Sequence, residues 1–159
     1  MDKETELRVA RHECGHAFVC LALRMKFNTV NIKQDGFYFG SFDMKGQRVD
    51  RSISVKQNIL NSITISIAGH IADSIHFHMD PAELGQTTLR GSDKDMENIQ
   101  RLTNALGIKQ SDLENLMALA AKRAALILST GWPLVNRLAN ELIKKRSLTY
   151  EESLTIIGA

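Results

Sequence analysis

Three titratable side chains lie inside an almost wholly apolar stretch near the start of the chain. The segment VARHECGHAFVCLAL, residues 9–23, contains no proline and predicts a helix over about residues 3–24. Burying His12, Glu13 and His16 among such neighbours is costly unless another group compensates their polarity. The chain must therefore fold so that one polar arc of a largely buried helix meets a suitable partner.

The spacing of these residues suits a metal ion. At about 100° per residue, His12 and His16 project from adjacent turns of one helix face, and Glu13 lies at the edge of that face. Two imidazoles at this spacing can ligate one tetrahedral Zn²⁺, and the adjacent carboxylate can act as a base toward water. With this composition, an HExxH motif arises by chance in roughly one sequence per hundred. The alternative explanation is that these are solvated histidines on a surface helix. The apolar flanks favour zinc over that alternative.

Gly15, Cys14 and Cys20 lie inside the same predicted helix and are expected to have structural roles. Glycine costs about 1 kcal/mol against alanine in a helix interior, so we expect another backbone to approach closely at Gly15. Cys14 and Cys20 are separated by roughly 9 Å along a helix axis, which is too far for a disulfide. Both thiols are predicted to be reduced and structural, with Cys14 pointing away from the metal.

The remaining sequence predicts a mainly α (α+β) fold in a single domain spanning residues 1–159. The segments NTVNIK (28–33) and GFYFGSFDM (36–44) are rich in β-forming residues, and Gln34, Asp35 and Gly36 are expected to form the turn between them. This small hairpin or two- to three-stranded sheet, about residues 28–44, is expected beside the zinc helix. Further helices are predicted at about 55–77, 93–106, 111–129, 133–146 and 150–157, with a loop over 78–92.

Local signals set the expected helix ends. Capping boxes are predicted at Ser111 with Glu114 and at Thr149 with Glu152. Gly131 and Pro133 predict a stop and restart between two helices.

Charge and hydropathy exclude some classes of function. The formal net charge is only +2 at pH 7, and no predicted helix concentrates Lys and Arg, which disfavours nucleic-acid binding. KKR at 144–146 is more simply explained as complementing the dipole at a helix C-terminus. No basic-then-apolar leader opens the sequence, and no run approaches the roughly 20 apolar residues of a membrane span. We therefore expect a soluble, cytoplasmic protein without a membrane segment.

A catalytic zinc ion needs a third protein ligand and one open position. Helical periodicity does not select among the downstream candidates, which are His70, Asp73, His76, His78, Asp80, Asp93, Asp95 and Glu97. The segment GSDKDMENI (91–99) places carboxylates at the start of a predicted helix, from which one could reach the metal.

Several segments, in order, resemble one protein family. VARHECGHAFV is similar to the AxHEAGHA signature of the FtsH-type, ATP-dependent zinc metalloproteases. SIAGHIADSI (66–75) resembles the family's LAGRAAEEL segment, GSDKDMENI resembles GASNDLERA, and residues 121–154 resemble its C-terminal helical pattern. The resemblance covers nearly the whole chain. It implies a zincin-like helical bundle, one Zn²⁺ per chain and zinc endopeptidase activity.

The resemblance also implies roles for individual residues. His12 and His16 match the family's histidine ligands, and Glu13 matches its catalytic glutamate. Asp95 matches the third zinc ligand. Asp73 falls where the family has a glutamate near the site. It is therefore expected either to contact and orient a metal ligand or to serve as an alternative ligand.

The implied substrate is an extended, unfolded or flexible polypeptide. Phe39, Gly40 and Ser41 resemble the strand along which the family lays its substrate. Zinc lowers the pKa of bound water toward about 7 and polarises the scissile carbonyl, while Glu13 transfers protons.

The sequence also departs from the family. His70 stands in place of an arginine, and no GxxxxGK[ST] phosphate loop is present, so unfolding of substrates would need a separate ATPase partner. A homo-oligomer is the other implied assembly. The alternative function is a catalytically weak or inactive metal-binding regulatory module of the same fold, although the intact Glu13 favours an enzyme.

Overall fold

A computed structural model describes residues 2–35, 37–78 and 93–159, with the side chains of these residues except at 34–38, 93–96 and 98. These ranges are mainly helical and contain one small antiparallel sheet, which confirms the predicted fold class. The elements are α1 (Lys3–Ala22), β1 (Thr29–Asp35), β2 (Phe37–Asp43), α2 (Val55–His76), α3 (Asp93–Ala105), α4 (Gln110–Lys145), β3 (Ser147–Thr149) and α5 (Tyr150–Ile157). The loop predicted over 78–92 lies, except for His78, outside the described residues.

Helix α1 begins at Lys3 because the residues at its N-terminus provide acceptors and negative charge for the first backbone amides. Asp2 is the N-cap, and its Oδ1 accepts a hydrogen bond from the Glu4 amide at 3.0 Å. Glu4 and Glu6 in the first turn complement the positive end of the helix dipole. From Glu13 onward every residue to Leu21 is buried, because α1 packs against α2, α4 and the sheet. His12, Glu13 and His16 therefore lie on the central helix of the described structure.

The close approach expected at Gly15 is present. A Cβ atom at Gly15 would lie 2.8 Å from the Cβ of Ala72 and 3.1 Å from the carbonyl oxygen of Ala68. The small residues on both helices let α1 and α2 pack nearly backbone to backbone. This approach brings the polar face of α1 against the middle of α2.

Replacing Gly15 with alanine is expected to destabilise the protein although alanine is the better helix former. The added methyl group must push α1 away from α2, and overpacking of this kind costs about 1–3 kcal/mol. Chemical denaturation of the wild type and Gly15→Ala should show a lower midpoint for the variant. A variant as stable as the wild type would contradict the close packing of these helices.

The sheet contains three antiparallel strands in the order β2-β1-β3, so β2 is an edge strand. The hairpin prediction is confirmed, but the turn predicted at Gln34, Asp35 and Gly36 includes two residues that belong to strand β1. Gln34 and Asp35 continue β1, and the register pairs Gln34 with Tyr38. The third strand, Ser147–Thr149, comes from between the last two helices and pairs with Thr29–Asn31. Its three residues are too few to produce a period-2 pattern.

The predicted break at Gly131 and Pro133 is wrong, because α4 continues through both residues as one helix of 36 residues. Gly131 lies against the ring of Phe18 on α1, where a Cβ atom would clash with the ring. The buried residues keep one helical phase on both sides of the proline: Ala120, Ala124, Leu128, Val135, Leu138, Ala139 and Leu142. Burial of this continuous stripe outweighs the hydrogen bond that proline removes.

One of the two predicted capping boxes forms. Thr149 Oγ1 accepts from the Glu152 amide at 3.2 Å, and Glu152 Oε2 accepts from the Thr149 amide at 2.9 Å. The box at Ser111 is wrong, because α4 begins one residue earlier with Lys109 as N-cap and no side-chain cap. In the described ranges, no helix is both long enough and apolar enough to cross a membrane.

Both cysteines are buried and unbridged, as predicted. Burial, followed by the negative charge of Glu13, raises the pKa of the Cys14 thiol, and burial raises the pKa of the Cys20 thiol to about 12. The reactive thiolate is therefore scarce at neutral pH. Iodoacetamide at pH 8 should leave both residues unmodified in the native protein and alkylate both in denaturant. Rapid alkylation of the native protein would contradict this packing.

Candidate metal centre

The imidazole rings of His12 and His16 converge on one point. Their Nε2 atoms are 3.3 Å apart, and the opposite nitrogen of each ring is anchored. His12 Nδ1 lies 2.9 Å from Asp73 Oδ2, and His16 Nδ1 lies 2.6 Å from the carbonyl oxygen of Ile65. Both anchors are hydrogen-bond acceptors, so each Nδ1 carries a hydrogen, and a ring that holds no second proton presents Nε2 as an acceptor.

This arrangement fits a zinc ion. Two acceptor nitrogens 3.3 Å apart repel each other unless a cation, either a proton or a metal, is shared between them. Zinc–nitrogen bonds of roughly 2.0–2.1 Å at a tetrahedral angle separate the two nitrogens by about 3.3–3.4 Å. The Nδ1 contacts are also those by which proteins orient histidine ligands toward a metal.

Helix α2 leaves space for an ion at this point because residue 69 is glycine. A Cβ atom at Gly69 would lie 2.5 Å from His16 Nε2 and closer still to His12 Nε2. Any side chain here would occupy the space onto which both nitrogens converge. Sequence reasoning did not single out Gly69, although a lone glycine inside an apolar helix was the same signal that identified Gly15.

Asp73 orients the His12 ring through its hydrogen bond with Nδ1, the nitrogen opposite the candidate metal ligand. Burial raises the pKa of its carboxyl, but the hydrogen bond from His12 and the positive charges of His12, Arg8 and His70 outweigh burial and lower that pKa. Asp73 therefore remains ionised and keeps the Nδ1 hydrogen of His12 in place. His70 also contacts His12, edge to face, with ring centroids 5.2 Å apart.

Glu13 is buried where the face of α1 that carries His12 and His16 meets strand β2. A Cβ atom at Gly40 would lie 2.5 Å from Glu13 Oε1, so only glycine lets the carboxylate lie against the strand. Of the predicted substrate-strand residues, the structure thus brings Gly40 to the site. Phe39 and Ser41 flank it on β2, which is an edge strand of the described sheet, and Phe39 is 41% exposed.

Aromatic rings support His16 from the sheet. Phe42 on β2 stacks on the His16 ring with centroids 5.7 Å apart and planes inclined by 19°. Phe27 in turn packs on Phe42 at 5.2 Å. Sequence reasoning missed this contact, because nothing local relates Phe42 to His16.

The other candidate ligands either make contacts elsewhere, are exposed, or lie outside the described side chains. His76 lies apart from the histidine pair, with Nδ1 accepting from Arg11 Nη1 at 2.9 Å and Nε2 2.8 Å from Glu4 Oε1. His78 is exposed just after α2. Asp95 belongs to the first turn of α3, but its side chain lies outside the described part of the structure, as do Asp80 and Asp93. Its assignment as third ligand stays a prediction.

Comparison with protein-family models and with curated proteins finds no relative. No protein-family model matches the chain, and no curated protein is significantly similar to it. The case for a function therefore depends on the geometry of this site and on the resemblance of its motifs.

Proposed function

We propose that the chain is a zinc-dependent endopeptidase of the FtsH type. The observation that carries this proposal is the pair of anchored imidazoles whose Nε2 atoms lie 3.3 Å apart, with a buried glutamate on the same helix. His12 and His16 are the proposed ligands, and Asp95 is the third by resemblance. Zinc would supply a Lewis acid that polarises the scissile carbonyl and acidifies water.

The chain's own residues would supply the remaining chemistry. Glu13 accepts a proton from the attacking water and returns it to the departing amine, a role in which general bases contribute about 10²–10⁴-fold. Asp73 and the Ile65 carbonyl hold the two histidines in the tautomer that directs Nε2 toward the ion. The rigid packing of α1 between α2 and α4 keeps these groups in position.

Strand β2 supports an extended polypeptide as the substrate. It is an edge strand of the described sheet, and Gly40 in its middle touches Glu13. A peptide that adds to this edge would pair through its main chain and pass beside the catalytic carboxylate. Main-chain pairing tolerates many side chains, so the requirement is an accessible, unfolded segment.

Cleavage should depend on metal and on substrate unfolding, and not on ATP. A peptide bond in a folded domain cannot adopt an extended strand, and unfolding a typical domain costs about 5–15 kcal/mol. The purified chain with zinc should cleave an unfolded variant of a test protein and leave the stable parent intact, with or without ATP. A chelator should stop cleavage, and added Zn²⁺ should restore it.

The same assay separates the proposal from its alternative. Tight binding of one zinc ion without cleavage of any unfolded substrate would indicate the regulatory module. Equal cleavage of folded and unfolded substrates would contradict the edge-strand mode of binding.

A further inference from the structure

Asp73 has one carboxylate oxygen that its contact with His12 does not use. Oδ2 accepts from His12, whereas Oδ1 is buried and makes no hydrogen bond to any described residue. Arg8 Nε is 3.5 Å from Oδ1, but the two atoms lack hydrogen-bond geometry. A buried carboxylate oxygen in this state is costly, and it is an available ligand for a cation.

A second ligand lies near the Asp73 carboxylate. His70 precedes Asp73 by three residues on α2, so both side chains project from one face of the helix. His12, His70 and Asp73 each offer a ligand atom, and these atoms all lie within 4.8 Å of one another. Imidazole nitrogen and carboxylate oxygen are both good ligands for Zn²⁺.

We propose that His70 and Asp73 bind a second divalent cation beside the first. It is the weaker of the two, because the described residues give it two protein ligands and both Arg8 and the first ion repel it. A cation on Oδ1 draws negative charge from the Asp73 carboxylate, so it weakens the hydrogen bond that Oδ2 accepts from His12 Nδ1 and loosens a ligand of the first site. This inference rests on the function proposed for the first site. It adds that excess zinc inhibits peptide hydrolysis at that site.

The expected effect on activity follows from the role of Asp73. Partners that orient histidine ligands typically change metal affinity or activity by about 10–100-fold when they are lost. Zinc in excess of one equivalent should therefore reduce peptide hydrolysis by roughly that range. The inhibition should be reversible by dilution, since no covalent bond forms.

The test is to titrate the full chain with Zn²⁺ alone and to measure binding by calorimetry or equilibrium dialysis. The wild type should bind one ion tightly and a second more weakly. His70→Asn should keep the tight site and weaken the second by roughly tenfold or more. Arg8→Gln, on a half-exposed side chain, should strengthen the second site because it removes a nearby positive charge.

His78→Asn is the matched control. His78 is exposed beyond the end of α2 and has a φ of 54°, a left-handed conformation that asparagine tolerates. This variant should bind both ions as the wild type does.

The outcomes distinguish the inference from the function on which it rests. One tight ion and no second in the wild type would overturn the inference and leave the proposed function intact. No tight ion in the wild type would overturn the proposed function. Loss of the tight ion in a folded His70→Asn variant would place His70 at the first site and overturn the two-site arrangement.

Discussion

Replacing Gly69 with alanine is expected to abolish zinc binding without changing any ligand. The added methyl carbon would lie 2.5 Å from His16 Nε2 and closer to His12 Nε2, in the space that the ion needs. The rings cannot easily withdraw, because each Nδ1 is hydrogen-bonded to Asp73 or to the Ile65 carbonyl. We expect zinc affinity to fall by about 100-fold or more, at the upper end of the effect of misplaced ligands.

Equilibrium dialysis of Gly69→Ala against Zn²⁺ would measure this loss, with circular dichroism to establish that the helices remain. Ser66→Ala is the control, because Ser66 lies on the same helix and lines a pocket with residues of α3. It should bind zinc normally. A folded Gly69→Ala protein with unchanged affinity would show that the two Nε2 atoms do not form the metal site.

Replacing Glu13 with glutamine is expected to remove hydrolysis while zinc binding persists. Glutamine has the size of glutamate and fits against Gly40, so α1 and both histidines should keep their positions. It cannot take a proton from water, and cleavage of an unfolded substrate should fall by about 10²–10⁴-fold. Metal analysis and a peptide-cleavage assay on the same preparation would separate the two effects.

Glu4→Gln is the control for this experiment. Glu4 lies on the same helix eight residues before His12, its side chain is 67% exposed, and its carboxylate contacts His76. It should retain wild-type cleavage. Equal rates for the wild type and Glu13→Gln would contradict the hydrolase and leave the regulatory module as the function.

Sequence reasoning succeeded where the cause is local. The spacing of His12, Glu13 and His16 within one helix determines how their side chains project, and the structure places them as expected. The β-forming runs around residue 36 predicted the hairpin, and Thr149 with Glu152 predicted the start of α5. Each of these features depends on residues within a few positions of one another.

The errors occur where distant contacts outweigh local signals. Pro133 reads as a helix end, but its helix buries one continuous stripe against α1 and α2, and that burial keeps the chain helical. Ser111 was a reasonable cap, yet α4 begins one residue before it. Strand β3 exists because Ser147–Thr149 lies beside β1, and three residues carry no pattern of their own.

For the candidate site, the sequence by itself determined that His12 and His16 project from one face of α1 and that Gly15 needed a close neighbour. Only the tertiary structure decided what completes the site. Asp73 and Ile65 orient the two rings from α2, and Gly69 opens the space between them. Phe42 and Gly40 approach from β2. These groups are 26 to 61 residues from their partners along the chain, and only the packing of α2 and the sheet around α1 brings them together.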